Sequence, residues 1–316
     1  MMGENTTAKA SNFVDQVDAT FVLIFGVALF FLIIITIVMV YFIIRYRKSK
    51  SPEATHIEGS TALEILWTVI PTIIVILMFQ YGWSGWRPQS KPPAEAFQIK
   101  SIARMWSFVF QYENGRMTDT LYVPVGKPVK IDLVAQDVIH SIYIPAFRIK
   151  KDMVPGKKGN IWFEAGKEGE YDVFCAEYCG LRHSYMKTSV VVLPKEKFDS
   201  WYVDTSLVVP PSAEAGKRLA GVAVTRKYGC NACHTSDGSK LVGPSYKGLW
   251  GRTHLVISNG EEREVTVDSA YIRRSIYDPN AEVVKGYTTG LMLSYKDQVT
   301  EEELGQLIEY FKSLNN

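Results

Sequence analysis

Residues 21–44 run for 24 positions without a charge and consist almost wholly of Val, Leu, Ile and Phe. At about 1.5 Å per residue, a helix of that length crosses a hydrocarbon core of roughly 30 Å. Lipid offers the backbone no hydrogen-bond partners, so such a stretch has little choice but to be helical. Residues 62–83 form a second apolar stretch, interrupted by Glu64 and Pro71. A membrane helix tolerates a proline where its neighbours satisfy the freed carbonyl. The intervening loop carries Arg45, Arg47, Lys48 and Lys50. The bias of basic loops toward the cytoplasm predicts a hairpin over residues 19–86 with both ends outside. Residues 1–18 hold Glu4, Asp15 and Asp18 against Lys9, which is not the basic start of a cleavable signal, and are expected to form an extracytoplasmic segment.

After the hairpin the texture changes twice. Residues 97–103, 129–134 and 189–193 are β-branched runs separated by turn signals such as Asn114-Gly115 and Pro155-Gly156. They predict an antiparallel β-sandwich over residues 87–194. Residues 195–211 include a Pro-Pro pair and read as a linker, with a helical turn near residues 195–201. Residues 212–316 read as a small helical domain. Ser212 is a plausible cap for its first helix. In the last helix Thr300 and Glu303 make a capping box, and Leu304, Leu307, Ile308 and Phe311 form an apolar stripe. A net charge of +2 gives no case for nucleic acid as a partner.

All four cysteines fall in two motifs. Cys175, Cys179, His183 and Met186 lie within twelve residues, and soft sulfur with imidazole favours copper. Two bridging thiolates let one electron spread over two coppers, which suits fast transfer. Cys-x3-Cys alone would also fit a structural zinc or a pair of buried thiols. A second imidazole is needed if each copper is to have one. Among the five histidines, His56 lies in the basic loop, His234 in the other cysteine motif and His254 in the C-terminal domain, which leaves His140. The second motif, Cys230-Asn-Ala-Cys233-His234, is the attachment signature of a c-type haem with His234 as proximal ligand. Met292 is the only methionine after Met186 and is the candidate sixth ligand; His254, which also reads as a surface loop residue, is its only competitor.

The segment around His140 and the residue 175–186 loop resemble the binuclear copper A site of cytochrome c oxidase subunit II, and the hairpin and sandwich match that family too. The resemblance implies a cupredoxin-like sandwich in which Cys175 and Cys179 bridge the coppers and His140 and His183 bind one each. It makes Met186 and the Glu177 carbonyl weak ligands, and it implies that the Glu177 carboxylate reaches a magnesium ion at the contact with the catalytic subunit. Trp106 aligns with the tryptophan through which electrons reach copper A, although a core aromatic reads equally well; Phe108 replaces the family's second tryptophan. Glu64 aligns with a glutamate at the mouth of a proton pathway, or is a solvated charge at a helix end. Residues 243–251 resemble the loop after the haem motif in class I cytochromes c, where the Pro244 carbonyl would orient the proximal imidazole. The fusion resembles subunit II of a caa3-type oxidase, with an all-α cytochrome c domain at its C-terminus.

That resemblance implies electron flow from an external donor to haem c, then copper A, then oxidase subunit I in a bacterial-type plasma membrane, with subunit III as a further partner and with proton pumping. The donor is a cytochrome c or a docked quinol-oxidising complex. Thirteen Lys or Arg balance thirteen Asp or Glu after residue 211, so a tethered domain rather than charge steering supplies the encounter. A copper A subunit of a nitric oxide reductase and a membrane-anchored carrier without an oxidase stay open as alternatives.

Overall fold

A computed structural model describes residues 8–53, 56, 58–203 and 213–315; the proposed cap at Ser212 lies outside them. Helices α1 (Val14–Arg45) and α2 (Thr61–Gln89) form the hairpin. Large apolar side chains stand exposed along both, including Phe21 at 65%, Ile37 at 62% and Leu77 at 64%. Such a surface is stable against lipid and not against water. Ser60 caps α2 by accepting from the Leu63 N–H, and Pro71 lies inside the helix without ending it.

Helix α1 begins at Val14, within the segment expected to precede the membrane, because that segment packs on the sandwich. Ala10, Phe13 and Val14 are buried. Ser11 bridges to Ala165, and the Phe13 ring meets Trp162 edge-on at 4.8 Å. The Arg148 Nε donates to Asp18 at 2.7 Å, and Trp162 Nε1 donates to the Pro88 carbonyl at 3.1 Å. The hairpin is thus fastened to the next unit from both of its ends.

That unit packs two five-stranded sheets face to face. One has the order β3 (Met117–Thr118), β2 (Ser107–Tyr112), β1 (Phe97–Arg104), β5 (Pro128–Ala135), β8 (Gly159–Glu164). The other runs β4 (Leu121–Pro124), β10 (Lys187–Leu193), β9 (Gly169–Cys175), β6 (His140–Ile144), β7 (Ile149–Met153). The sheets are mixed rather than wholly antiparallel: β1 pairs β5 in parallel, and β10 pairs β4 in parallel. The chain between each of these partners is long enough for a crossover, which parallel pairing requires. Inward-facing Phe110, Leu121, Ile131, Phe147, Phe163 and Val173 are fully buried between the sheets. Helix α3 (Lys195–Val203) seats Phe198, Trp201 and Tyr202 on Phe97, Tyr112 and Tyr122 at the sandwich edge.

The C-terminal unit is not all-α, and that expectation is corrected. Alongside α4 (Ala213–Lys227), α5 (Ser269–Tyr277) and α6 (Glu301–Lys312) it holds a sheet of order β12 (Glu261–Thr266), β11 (Thr253–Ser258), β13 (Val283–Val284). The cause is local. Asn259 and Gly260 both take positive φ, 51° and 85°, and an Asn-Gly pair of that conformation closes a two-residue hairpin between β11, which carries Val256 and Ile257, and β12. Helices α4 and α6 pack closely at Gly221, where a Cβ would lie 2.2 Å from the Tyr310 Cβ. The capping box of Thr300 and Glu303 is formed, and Leu304, Leu307 and Phe311 are buried.

Candidate metal centre and C-terminal cavity

His140 opens β6 and Cys175 closes β9, adjacent strands of one sheet, and the loop from 176 to 186 folds back beside them. Cys175 Sγ lies 3.8 Å from Cys179 Sγ and 3.9 Å from His140 Nδ1. Cys179 Sγ lies 3.6 Å from His183 Nδ1 and 3.7 Å from Met186 Sδ. The Glu177 main-chain oxygen stands 3.3 Å from Cys175 Sγ. A metal ion at ~2.3 Å from sulfur can touch both thiolates across such a gap. His140, Cys175, Cys179 and Met186 are all buried. Two close sulfurs, each with an imidazole nitrogen nearby, and the Met186 thioether beside them form a donor set consistent with binuclear copper, which prefers soft ligands.

The protons follow the geometry. Burial opposes ionisation of Cys175, but hydrogen bonds from His140 and the neighbouring backbone bring its thiol down to about 7. Burial and the Cys175 charge push Cys179 up to about 12. One thiolate therefore forms readily and the second awaits a cation, whose binding would release that proton.

Sequence reasoning missed Asp137. Its Oδ1 takes His140 Nε2 at 2.7 Å, and its Oδ2 accepts from the Met105 N–H at 2.7 Å. Burial works against the Asp137 charge, yet these donors hold its carboxyl below the usual range. With Nε2 engaged, Nδ1 is left facing Cys175, the pattern by which a carboxylate orients a metal-binding imidazole. The only signal in the sequence was a carboxylate three positions before His140.

Trp106 is 4% exposed in the turn between β1 and β2, and its Nε1 donates to the Cys179 carbonyl at 3.0 Å. Gly180 beside this ring takes φ 108°, a conformation that favours glycine. Phe108 is buried in the sandwich core. The Glu177 carboxylate is paired with Lys150 at 2.7 Å on an exposed flank, a detail the sequence did not show. Glu64 lies exposed in the first turn of α2, where a negative charge favours the helix N-terminus.

In the C-terminal unit, Cys230, Cys233, His234, Pro244 and Met292 line one cavity with about 1410 Å³ of non-protein space, part of it open to solvent. His234 Nδ1 donates to the Pro244 carbonyl at 2.7 Å, which leaves Nε2 as the nitrogen free to bind a metal. Tyr246 stacks on the same ring at 4.9 Å. Gly243 makes room for it: a Cβ would come within 2.4 Å of His234. Burial holds the His234 imidazole below its usual pKa, which favours the neutral ligand form. His254 is not on a surface loop. It lies on β11 and lines the cavity, with Nε2 buried and unpartnered among the described residues.

A membrane hairpin carrying a β-sandwich with this buried cysteine, histidine and methionine cluster defines a membrane-anchored protein of the cupredoxin-like copper class. The transmembrane domain described for cytochrome c oxidase subunit II matches residues 2–83, and the periplasmic domain of the same subunit matches residues 111–193. Cytochrome c oxidase subunit 2 of Alkalihalophilus pseudofirmus is 30% identical over 305 residues, covering 92% of this chain and 86% of that protein. The corresponding subunit of Thermostichus vulcanus is 30% identical over 252 residues, covering 61% of this chain and 76% of its own length. The crystal structure of the periplasmic domain of subunit II of cytochrome oxidase of Bradyrhizobium japonicum aligns with a TM-score of 0.34 and 29% identity, covering 35% of this chain and 94% of that domain. The chain belongs to the cytochrome c oxidase subunit II family. It is the electron-transferring subunit of a haem-copper terminal oxidase, held by two transmembrane helices and carrying a periplasmic copper domain.

Proposed function

We propose that this subunit carries its own electron donor, with residues 212–316 as a cytochrome c domain fused behind the copper domain. The observation that carries this reading is the cavity that brings Cys230, Cys233, His234 and Met292 together while Pro244 occupies His234 Nδ1. The cysteines would form the thioethers, and His234 and Met292 would be the axial ligands, a pair that raises a haem potential. The 92% of the chain aligned with the A. pseudofirmus subunit takes in most of the residues after 212, which supports treating this unit as part of the family's architecture. When bound, haem and the copper pair each take up and release single electrons.

The chain's residues divide the remaining work. Cys175 and Cys179 would bridge the coppers, His140 and His183 would bind one each, and Met186 and the Glu177 carbonyl would be weak ligands. Trp106 would couple incoming electrons to Cys179. The Glu177 carboxylate would reach magnesium only by giving up Lys150, with the remaining ligands coming from subunit I. Glu64 would sit at the mouth of a proton pathway in subunit I. The basic loop after α1 supports an arrangement with both redox units on the outer face of a plasma membrane. Subunits I and III, and a cytochrome c or quinol-oxidising donor complex, would be the neighbours.

Purification from native membranes tests this. The expected result is covalent haem on this chain, copper in the same complex, and haem a or haem o in a partner subunit. A chain without covalent haem, or a complex without haem a or haem o, would refute the corresponding half of the reading.

A further inference from the structure

The turn between β1 and β2 touches both redox sites. Of the residues lining the C-terminal cavity, the sandwich supplies two, Arg104 and Met105. The next residue, Trp106, is hydrogen-bonded to the Cys179 carbonyl. Met105 itself is held by its N–H on Asp137, whose other oxygen holds His140. Arg104 is 4% exposed, which is unusual for an arginine, and its bonds cross to the other unit. Its Nη2 donates to the Tyr228 carbonyl, two residues before Cys230. Its guanidinium lies 4.9 Å from the centre of the Tyr295 ring, and the Tyr295 hydroxyl donates to the same Tyr228 carbonyl at 3.4 Å.

The seam around Arg104 is tight. A Cβ on Gly229 would lie 2.3 Å from Ser107 Oγ, so the backbone entering the cysteine motif is pressed directly on the turn. Cys233, Val242 and Leu291 pack against the hydrophobic core of the sandwich. A buried guanidinium bonded to a carbonyl and lying on an aromatic face is a specific contact, because its removal costs both a charge-assisted hydrogen bond and a cation–π contact.

We infer that Arg104 is a positioning residue that clamps the C-terminal unit to the copper domain, so that Met105 and Trp106 form the contact between the two redox groups. The inference rests on the proposed haem. With the clamp closed, Met105, Trp106 and the Cys179 carbonyl would lie between the group held by Cys230, Cys233 and His234 and the metals held by the cysteine cluster, and single electrons would pass along that contact. No bond forms or breaks, and the external donor supplies the next electron. The clamp also covers the face of the sandwich beside Trp106 with this chain's own C-terminal unit. An external donor therefore delivers to the C-terminal unit rather than to the copper domain. Without the clamp, transfer would depend on a tethered unit finding its seat again, at an effective concentration set by the linker.

The test uses the full chain in detergent with both sites loaded. The haem is reduced by a light pulse, and the copper absorption is followed. In the unaltered chain the transfer rate should be independent of viscosity in glycerol. In Arg104→Leu the rate should fall about tenfold or more and become viscosity-dependent, while the haem spectrum and the copper paramagnetic resonance stay as they were. Ser107→Leu, which leaves Arg104 in place but wedges the seam, should behave the same way and serves if Arg104→Leu does not load. Wild-type transfer in a fully loaded variant would overturn the clamp alone, as would viscosity-dependent transfer in the unaltered chain. A chain that binds no covalent haem would overturn the functional reading and the clamp together.

Discussion

Trp106 Nε1 donates to the main-chain carbonyl of Cys179 at 3.0 Å, joining the β1–β2 turn to a residue whose thiol belongs to the copper cluster. The bond is buried, and Gly180 lies beside the ring. Trp106→Phe removes the Nε1 donor and the pyrrole part of the indole. The expected result is a loss of at least about 1–3 kcal/mol in the stability of the copper domain, from the unsatisfied Cys179 carbonyl and the space left beside it. Thermal unfolding checks this, and copper reduction by a small-molecule donor should slow in the same variant.

Asp137 holds His140 by one oxygen and the Met105 backbone by the other. Asp137→Asn keeps the shape and removes the charge. Copper affinity should fall roughly tenfold to a hundredfold, as for other carboxylates that orient a ligating imidazole. Competition with a chelator of known affinity measures it, and unchanged copper retention would refute the role.

Met186 is 1% exposed and its sulfur lies 3.7 Å from Cys179 Sγ. Met186→Leu conserves volume, so folding should be little affected. The near-infrared band of the copper pair should shift while the absorption of the proposed haem stays intact. An unchanged copper spectrum would remove Met186 from the ligand set.

Gly221 is where α4 and α6 meet, with Tyr310 Cβ and the Gln306 carbonyl inside contact distance of any added Cβ. Gly221→Ala favours the helix locally but must push the two helices apart. The net effect should be destabilising by about 1–3 kcal/mol, the range for overpacked cores. Thermal unfolding followed by circular dichroism tests the sign, because helix propensity alone predicts the opposite.

Glu303 caps α6 and also accepts from Lys227 and Tyr228. Burial works against its charge, but these donors hold the carboxyl below its ordinary value of 4.5. A group whose folded pKa is lowered stabilises above its unfolded pKa and loses that stabilisation as pH falls through the folded value. Glu303→Gln should therefore be less stable than the parent at pH 7, and the gap should close on acidification below pH 4.5. Denaturant midpoints at the two pH values decide it.

Much of this protein was legible in local pattern. The 24-residue uncharged run allowed only a membrane helix, because lipid admits no other way to satisfy its backbone. The spacing of Cys175, Cys179, His183 and Met186 named a soft-metal loop, and the elimination of other histidines pointed to His140, which lies beside Cys175 on the next strand. The capping box at Thr300 could be read from two residues. Even the hairpin that breaks the all-α expectation has a local signal in Asn259-Gly260 after the β-branched Val256 and Ile257; the resemblance to a helical family obscured it.

What only the tertiary structure decided lies between segments distant in the chain. Asp137 has no role readable from its neighbours; the fold sets it against His140 and Met105. Nor does the local sequence mark Arg104, which the fold buries against Tyr228 and Tyr295, more than a hundred residues away. His254 was assigned to the surface until β11 placed it along the cavity. Ligand types and helix signals are properties of a few neighbouring residues, so sequence alone determined them. Second partners, docking seams and burial depend on which surfaces meet in three dimensions, and no local period encodes that.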